Sequence, residues 1–212
     1  RPHLGGPMRI ELQVIAKRIM DVGLAMVGLV IVAPLLLVSA IAIKVDSRGP
    51  AFFRLRVAGL RGKGFDQWKL RTMVPGARES GDRFETSSND PRITRVGHFL
   101  RRWSIDELPQ LWNVLRGEMS IVGPRPAFFE IASKYSAEQA RRLAMRPGLT
   151  GLAQVQGRNL LTWPERVELD IFYVEHHSLW LDCKIMARTM PVLFQSEGVY
   201  GKDGRVRVQD LG

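Results

Sequence analysis

Asp106 and Glu107 are adjacent carboxylates in the run Ser-Ile-Asp-Glu-Leu-Pro that spans Ser104 to Pro109. Two roles fit the pattern. Ser104 with Glu107 three residues later matches a capping box, in which Glu107 reaches back to the helix start and is purely structural. Pro109 opposes the simplest form of that arrangement: with Ser104 as the cap it falls at the fifth helical position, where its ring clashes with the Ile105 carbonyl. Moving the cap to Asp106 puts Pro109 in the first turn, where a missing N–H costs little. In both versions the pair stands at a helix N-terminus. Free amides and the macrodipole there favour ionised carboxylates, so both side chains are expected to be anions at neutral pH. Adjacent anions repel, and a divalent cation relieves the repulsion. One carboxylate is then free to hold Mg²⁺ while its neighbour attacks phosphorus, the chemistry of aspartyl-phosphate enzymes.

The groups that would serve such a reaction are cationic. In Gly123-Pro124-Arg125-Pro126 each proline biases the residue before it away from helix, so Arg125 stands on a stiffened backbone. Such an arginine suits bidentate recognition of phosphate, and a solvated turn arginine is the ordinary alternative. Lys69 and Arg71 lie two apart in an alternating segment and share one face, turned either to a ligand or to solvent. Arg146 and Arg158 flank a run with Gly148, Gly151 and Gly157, and a lone Gly-rich loop is a weak phosphate signal. Asp170, on a helical stretch, is either a surface charge or a partner for one of the arginines. Across 212 residues, 31 Lys and Arg stand against 21 Asp and Glu, a net charge of +10 that points to an anionic partner: nucleic acid, lipid headgroups or phosphorylated substrates. The single cysteine, Cys183, excludes an internal disulfide and suits a reducing compartment, and four scattered histidines give no zinc spacing. Any metal is therefore a hard ion held by carboxylates.

The elements that position these residues read as α+β, mainly helical. An amphipathic lead-in, Glu11 to Asp21, runs into Val22 to Ile43, 22 residues without a charge, about 33 Å of helix at ~1.5 Å per residue. That length spans a bilayer core. Pro34 sits near its middle and is expected to kink it. Basic residues flank both ends, Arg9, Lys17 and Arg18 before and Lys44, Arg48, Arg54 and Arg56 after, whereas a spanning helix normally shows that bias on one side. A helix that breaks at Pro34 and returns to the same face satisfies both flanks, and a single-pass anchor is the alternative. The run is too long for the apolar core of a signal sequence and lacks a small-residue cleavage site. The opening RPHLGGP reads as a linker or a tag remnant.

A Gly-rich turn between alternating segments predicts a β-hairpin with strands at Ala51 to Val57 and Phe65 to Met73. Ala77 to Pro91 is polar and aperiodic, a surface loop. Thr94 to Trp103 reads as a short basic amphipathic helix able to lie on a membrane. The helix carrying Leu108, Leu111, Trp112 and Leu115 is expected to end at Gly117. Helices follow at Ser136 to Met145, Trp163 to His176 and Leu179 to Phe194, with a short strand at Leu152 to Val155. The last helix suits either the interface or a core, and the tail from Ser196 reads as frayed.

In this order the motifs resemble the bacterial sugar transferases, or monotopic phosphoglycosyl transferases. They are KRIMD at 17–21, the Pro34-broken apolar run, WKLRTM at 68–73, SIDELPQLWNVLRGEMSIVGPRP at 104–126, RPGLTGLAQVQGRN at 146–159 and ELDIFYVEHHSLWLDCKI at 168–185. The resemblance covers about Lys17 to Tyr200 and rests on the joint occurrence of all of them. It implies transfer of a sugar 1-phosphate from a UDP-sugar to polyprenyl phosphate, with UMP as the other product. Asp106 would be the nucleophile, forming a covalent phosphosugar intermediate, and Glu107 the Mg²⁺ ligand. Arg125 and Arg158 would bind phosphate or nucleotide, with Lys69, Arg101, Asn159 and Asp170 completing the site.

The resemblance further implies a re-entrant membrane helix over 17–48, anchored at the interface by Lys17, Arg18 and Asp21, and a catalytic domain over 49–195 on the cytoplasmic face of the bacterial inner membrane. Residues 1–16 are lead-in and 196–212 tail. The partners it implies are membrane lipid and the two substrates, without nucleic acid, and it leaves homo-oligomers open. One departure is Ala33, where the family often has serine before the breaking proline; Ala33 offers no hydroxyl to a freed backbone carbonyl. A non-catalytic, basic, membrane-anchored binding protein is the competing reading, and it gives no reason for an acidic pair beside Gly-Pro-Arg-Pro.

Overall fold

A computed structural model of the chain describes residues 7–77, 79, 85–194 and 205–207. The lead-in and the uncharged run join in one helix, α1 (Pro7–Asp46), whose 40 residues extend about 60 Å. Pro34 lies inside α1 and the helix continues on both sides of it. The proline ring removes one backbone donor, so the Val30 carbonyl loses its usual partner. By length and composition Leu12–Asp46 is long and apolar enough to cross a membrane. Much of that surface faces outward, with Val30 and Ile31 76% and 71% exposed.

The expected hairpin forms from β1 (Phe52–Ala58) and β2 (Gly64–Leu70), antiparallel with Phe53 opposite Lys69. A short β3 (Glu85–Ser87) follows, then α2 (Arg95–Arg102), capped by the Thr94 side chain on the Gly97 amide. A 3₁₀ segment, Ile105–Gln110, leads into α3 (Leu111–Leu115), and the chain leaves it through Gly117 in the left-handed region at φ 77°. Next come β4 (Ser120–Val122), β5 (Ala127–Phe128), α4 (Phe129–Ala132) and α5 (Ala137–Ala140). The Ser136 cap of α5 forms a full capping box with Gln139, but the helix gives way to a 3₁₀ turn at Arg141–Ala144. The chain ends in β6 (Gly148–Thr150), α6 (Leu152–Gln156), α7 (Trp163–Glu175), α8 (Leu179–Phe194) and β7 (Arg205–Arg207).

β5 extends the hairpin in the order β2-β1-β5, β4 pairs with β6 in parallel, and β3 pairs with β7. The mixed, mainly helical composition is as expected. The strand expected at Leu152 to Val155 is instead α6, and the strand lies just before it. Leu, Ala and Gln favour helix once Gly151 has turned the chain, while Gly148 and Thr150 take the ladder positions opposite Ser120 and Val122. Gly148 is required by that close pairing, since a Cβ there would lie 2.1 Å from the Gly123 nitrogen. The tail from Ser196 lies outside the described residues apart from β7.

α1 supplies both hydrophobic clusters. Ala25, fully buried, packs with Val57, Phe65, Val114, Val122 and Tyr173, and Ile43 packs with Ala51, Leu70, Leu100 and Ile105. Its polar residues are equally committed. The Lys17 ammonium donates to Asp182 Oδ2 at 2.7 Å and to the Val122 carbonyl at 3.0 Å. Arg18 donates to the Val114 and Leu115 carbonyls at 2.6 and 2.8 Å, covering the C-terminus of α3. Asp21 accepts from the Ser120 hydroxyl and the Ile121 amide at 3.0 and 2.9 Å. At the far end Asp46 accepts from the Val96 amide at 3.0 Å.

Lys17, Arg18 and Asp21, expected as interface anchors, therefore turn inward: Lys17 and Asp21 are 7% and 2% exposed. The buried Asp182 carboxylate and the open carbonyls of α3 need donors, and α1 brings them. Burial pushes the Asp182 carboxyl up, but His177, Lys17 and Tyr173 together outweigh it and hold it below the usual range. Replacing Lys17 by methionine strands that carboxylate, and breaking a buried pair from one side costs about 3–5 kcal/mol. The expected outcome is a clear drop in the thermal midpoint of the detergent-solubilised protein; an unchanged midpoint would show that the pair contributes nothing.

Candidate active site

The acidic pair is presented by a strained turn. Ser104, between α2 and the 3₁₀ segment, adopts φ 54° and ψ 23°, a left-handed conformation that costs a non-glycine residue energy. Neither expected capping arrangement forms. The Ser104 side chain makes no cap, and Glu107 turns away from the helix start to meet cations from two other segments. The 3₁₀ segment is fixed against the edge strand β2. Gln67 Nε2 donates to Gln110 Oε1 at 2.9 Å, and Asn113 accepts from the Trp68 amide and donates to the Asp66 carbonyl at 2.9 and 2.8 Å. Asn113 thus satisfies backbone groups that an edge strand would leave open.

Lys69 Nζ and an Arg125 terminal nitrogen both close on Glu107 Oε1, each at 2.9 Å. Burial pushes the Glu107 carboxyl up, but Arg125 and Lys69 overcome it and hold it far below the usual range. The Glu107 charge in turn raises the Arg125 pKa, against the effect of burial. Asp106 behaves in the opposite way. Its carboxylate accepts no hydrogen bond among the described residues, and burial followed by the neighbouring Glu107 charge pushes its pKa up to about 6, against the pull of Lys69, Arg101 and Arg125. Two carboxylates one residue apart are therefore unequal, one pinned as an anion and the other unbonded and more basic.

The pair lines a cavity of about 860 Å³, together with Lys69, Arg101, Arg125, Arg158 and Asn159. Arg101 is oriented by a bond from Nε to Thr72 Oγ1 at 2.8 Å. Arg158 sits in the left-handed region at φ 52°, and burial, then the nearby Arg125 charge, lower its pKa. Asp170 also borders the cavity, but its carboxylate is buried and paired with Arg142. Arg71, expected to share the face of Lys69, instead lies past the end of β2 and donates to the Ser47 carbonyl at 2.9 Å. Arg146 donates to the Gly117 carbonyl at 2.8 Å. Sequence reasoning missed Arg142, Thr72 and Asn113. Asn113 carried a faint signal, an amide among the apolar residues of a helix.

Among the described residues no group of three or more His, Cys, Asp or Glu side chains forms a ready metal cage. Asp106 and the second oxygen of Glu107 are nevertheless free of hydrogen bonds among those residues. One or two carboxylates completed by substrate phosphates is the donor set Mg²⁺ uses.

Fold and site define a class of protein: one long apolar helix carrying a small α+β body, with an unequal acidic pair facing a basic cavity. The sequence profile of the bacterial sugar transferases matches residues 12–196, and the chain belongs to that family. It is 47% identical over 205 residues to a UDP-glucose:undecaprenyl-phosphate glucose-1-phosphate transferase of Caulobacter vibrioides, covering 92% of this chain and 76% of that one. It is 40% identical over 199 residues to the exopolysaccharide production protein ExoY of Rhizobium meliloti, covering 87% and 88%. A second UDP-glucose:undecaprenyl-phosphate glucose-1-phosphate transferase, from Xanthomonas campestris pv. campestris, is 42% identical over 193 residues, with 87% of this chain and 40% of that longer protein covered.

The raised Asp106 pKa has a stability consequence. Between its ordinary value of 3.8 and about 6 the folded state holds a proton that the unfolded state has lost, so stability falls as pH rises through that window. Asp106→Asn removes the effect. The variant is expected to melt above the parent at pH 7.5, with the difference shrinking toward pH 4.

Proposed function

We propose that the protein moves a sugar 1-phosphate from a UDP-sugar to polyprenyl phosphate, giving a polyprenyl diphosphate sugar and UMP. The observation that supports this most is the inequality of Asp106 and Glu107. An unbonded carboxylate with a pKa near 6 is ionised at neutral pH yet keeps basicity, as a nucleophile needs. An Asp106 oxygen attacks the phosphorus that bears the sugar, the bond to the UMP oxygen breaks, and UMP leaves. A phosphate oxygen of the lipid acceptor then attacks the same phosphorus, the bond to Asp106 breaks, and the carboxylate is restored. Donor and acceptor use one pocket in turn, which makes the kinetics ping-pong.

Lys69 and Arg125 fix Glu107 and, with Arg101 and Arg158, stabilise charge on the transferring phosphoryl group. Asn159 adds a polar contact for the donor. Glu107, with Asp106 beside it, would hold Mg²⁺, which supplies Lewis-acid stabilisation of the diphosphate when bound. The relatives' names support a UDP-sugar donor and an undecaprenyl phosphate acceptor.

The membrane reading rests on α1. Lys17 and Asp46 are 29 residues apart, roughly 43 Å along a helix, and both bond to the same body. A helix crossing the bilayer would part its two ends onto opposite faces. A re-entrant helix, bent at Pro34 and seated in one leaflet, keeps both ends with the catalytic residues, on the cytoplasmic face of the inner membrane. The exposed Phe99 and Trp103 on and after basic α2 suit the same interface.

The test of the reaction is UMP release from UDP-glucose and other UDP-sugars with undecaprenyl phosphate and Mg²⁺ in detergent micelles. Asp106→Asn is expected to lose at least about a thousandfold in rate. The parent is expected to lose activity below pH 6 as Asp106 takes up its proton, and mass spectrometry of a donor-only reaction is expected to find the phosphosugar on Asp106. Near-normal turnover by Asp106→Asn would overturn the mechanism. For topology, cysteines at Gly5 and Lys63 in a Cys183→Ser background are expected to label from the same membrane face; labelling from opposite faces excludes re-entry.

A further inference from the structure

Arg142 belongs to none of the motifs that mark the site, yet it is among the most enclosed cations of the protein, 3% exposed. One terminal nitrogen pairs with Asp170 and also donates to the Arg125 carbonyl at 3.0 Å. The other donates to the Tyr135 hydroxyl at 2.9 Å, and the guanidinium lies over the Trp163 and Tyr135 rings at 5.0 and 5.9 Å. Burial raises the Asp170 pKa, and the Arg142 charge and the nearby Arg125 backbone pull against it. We infer that Arg142, with Asp170, is a positioning residue: Arg142 grips the backbone of Arg125 at its carbonyl, Asp170 holds Arg142 in place, and the Arg125 guanidinium is thereby held on Glu107.

The turn's composition explains why such a grip is needed. Pro124 and Pro126 have no N–H, so the Arg125 amide is the only backbone donor in the Pro-Arg-Pro unit. The Pro124 carbonyl is taken by the Gly148 amide at 2.9 Å, which fixes the turn on one side of Arg125. Arg142, held by Asp170, fixes it at Arg125 itself. A stability role is a poor explanation for the pair. Buried ion pairs are weak contributors to stability, and here Arg142 Nε and Asp170 Oδ1 are buried without a hydrogen-bond partner among the described residues. A pair that forgoes bonds of its own while holding a catalytic turn is placed for geometry. On this account Asp170 acts through Arg142 and Arg125, without touching substrate.

Only the kinetic arm of the test rests on the proposed transfer reaction. Arg142→Lys keeps the charge but replaces a fork of donors by one nitrogen. With UDP-glucose and undecaprenyl phosphate in micelles, kcat is expected to fall about 30- to 100-fold, since displacing a catalytic group by ~1 Å costs on that order, while the KM for UDP-glucose stays within about threefold. In an Arg125→Ala background the same substitution is expected to cost less than about threefold, because the group it positions is already gone. The second arm needs no activity. In Arg142→Lys the Arg125 amide is expected to exchange with deuterium at least about tenfold faster, whereas the Gly123 amide, held by the Thr150 carbonyl at 2.9 Å, is unchanged. Unchanged Arg125 exchange in a folded variant, or the full kinetic penalty persisting without the Arg125 side chain, would overturn the assignment. If Arg142→Lys does not fold, Tyr135→Phe deletes one acceptor of Arg142 and is read by the same criteria at smaller amplitude. A parent that releases no UMP from any UDP-sugar refutes the transfer reaction, and the exchange arm alone then decides the role of Arg142.

Discussion

Lys69 and Arg125 share one oxygen of Glu107, each at 2.9 Å, and leave Asp106, one residue away, with no hydrogen bond among the described residues. Neighbouring carboxylates in one turn would ordinarily see one environment and titrate as a mutually repelling pair. Here the cations are delivered to one member only. The charge that results on Glu107 is a leading reason, after burial, that Asp106 holds its proton more tightly. The chemistry proposed for the site depends on that division of labour.

Two segments far apart in the chain must therefore meet within hydrogen-bond distance of one atom. Lys69 comes from the second strand of the hairpin, and its position is transmitted to the acidic turn by Gln67, Gln110 and Asn113, all buried. α2 is pressed onto the chain just beyond that strand: a Cβ on Gly97 would lie 2.0 Å from the Thr72 carbonyl oxygen. The same Thr72 orients Arg101 through its hydroxyl. Arg125 arrives on a turn whose prolines remove flexibility and whose remaining backbone groups are held by β6 and by Arg142. Backbone strain concentrates here as well, since Ser104 and Arg158, two non-glycine residues with positive φ, both border the cavity.

Much of this was legible because it is local. The hairpin, the exit of α3 at Gly117 and the long C-terminal helices follow from alternation, turn chemistry and helical periodicity, which act over a few residues. The acidic pair and Arg125 were candidates by residue type and spacing, whereas Lys69 read as readily as a solvated strand face until the motifs were taken together. What escaped depends on distant partners. Lys17 and Asp21 look like headgroup anchors until α8 and β4 are folded against them, 165 and 100 residues away. Glu107 looks like a cap until cations from 38 and 18 residues away claim it. Arg142 is one of many arginines, and nothing within its own segment marks it for burial. The strand misplaced at Leu152 failed for the same reason: β6 exists because β4 offers it a ladder.

Because α1 places a fully buried alanine in one cluster and Ile43 in the other, and supplies the cation for Asp182, the apolar helix is a structural part of the body it accompanies. Both hydrophobic clusters draw residues from either side of residue 48, so α1 and the body share one core. A fragment starting after that point would expose the inner faces of α3 and the hairpin and leave a buried anion uncompensated. Formation of the helix and folding of the body are in this sense one event, joined through a shared core.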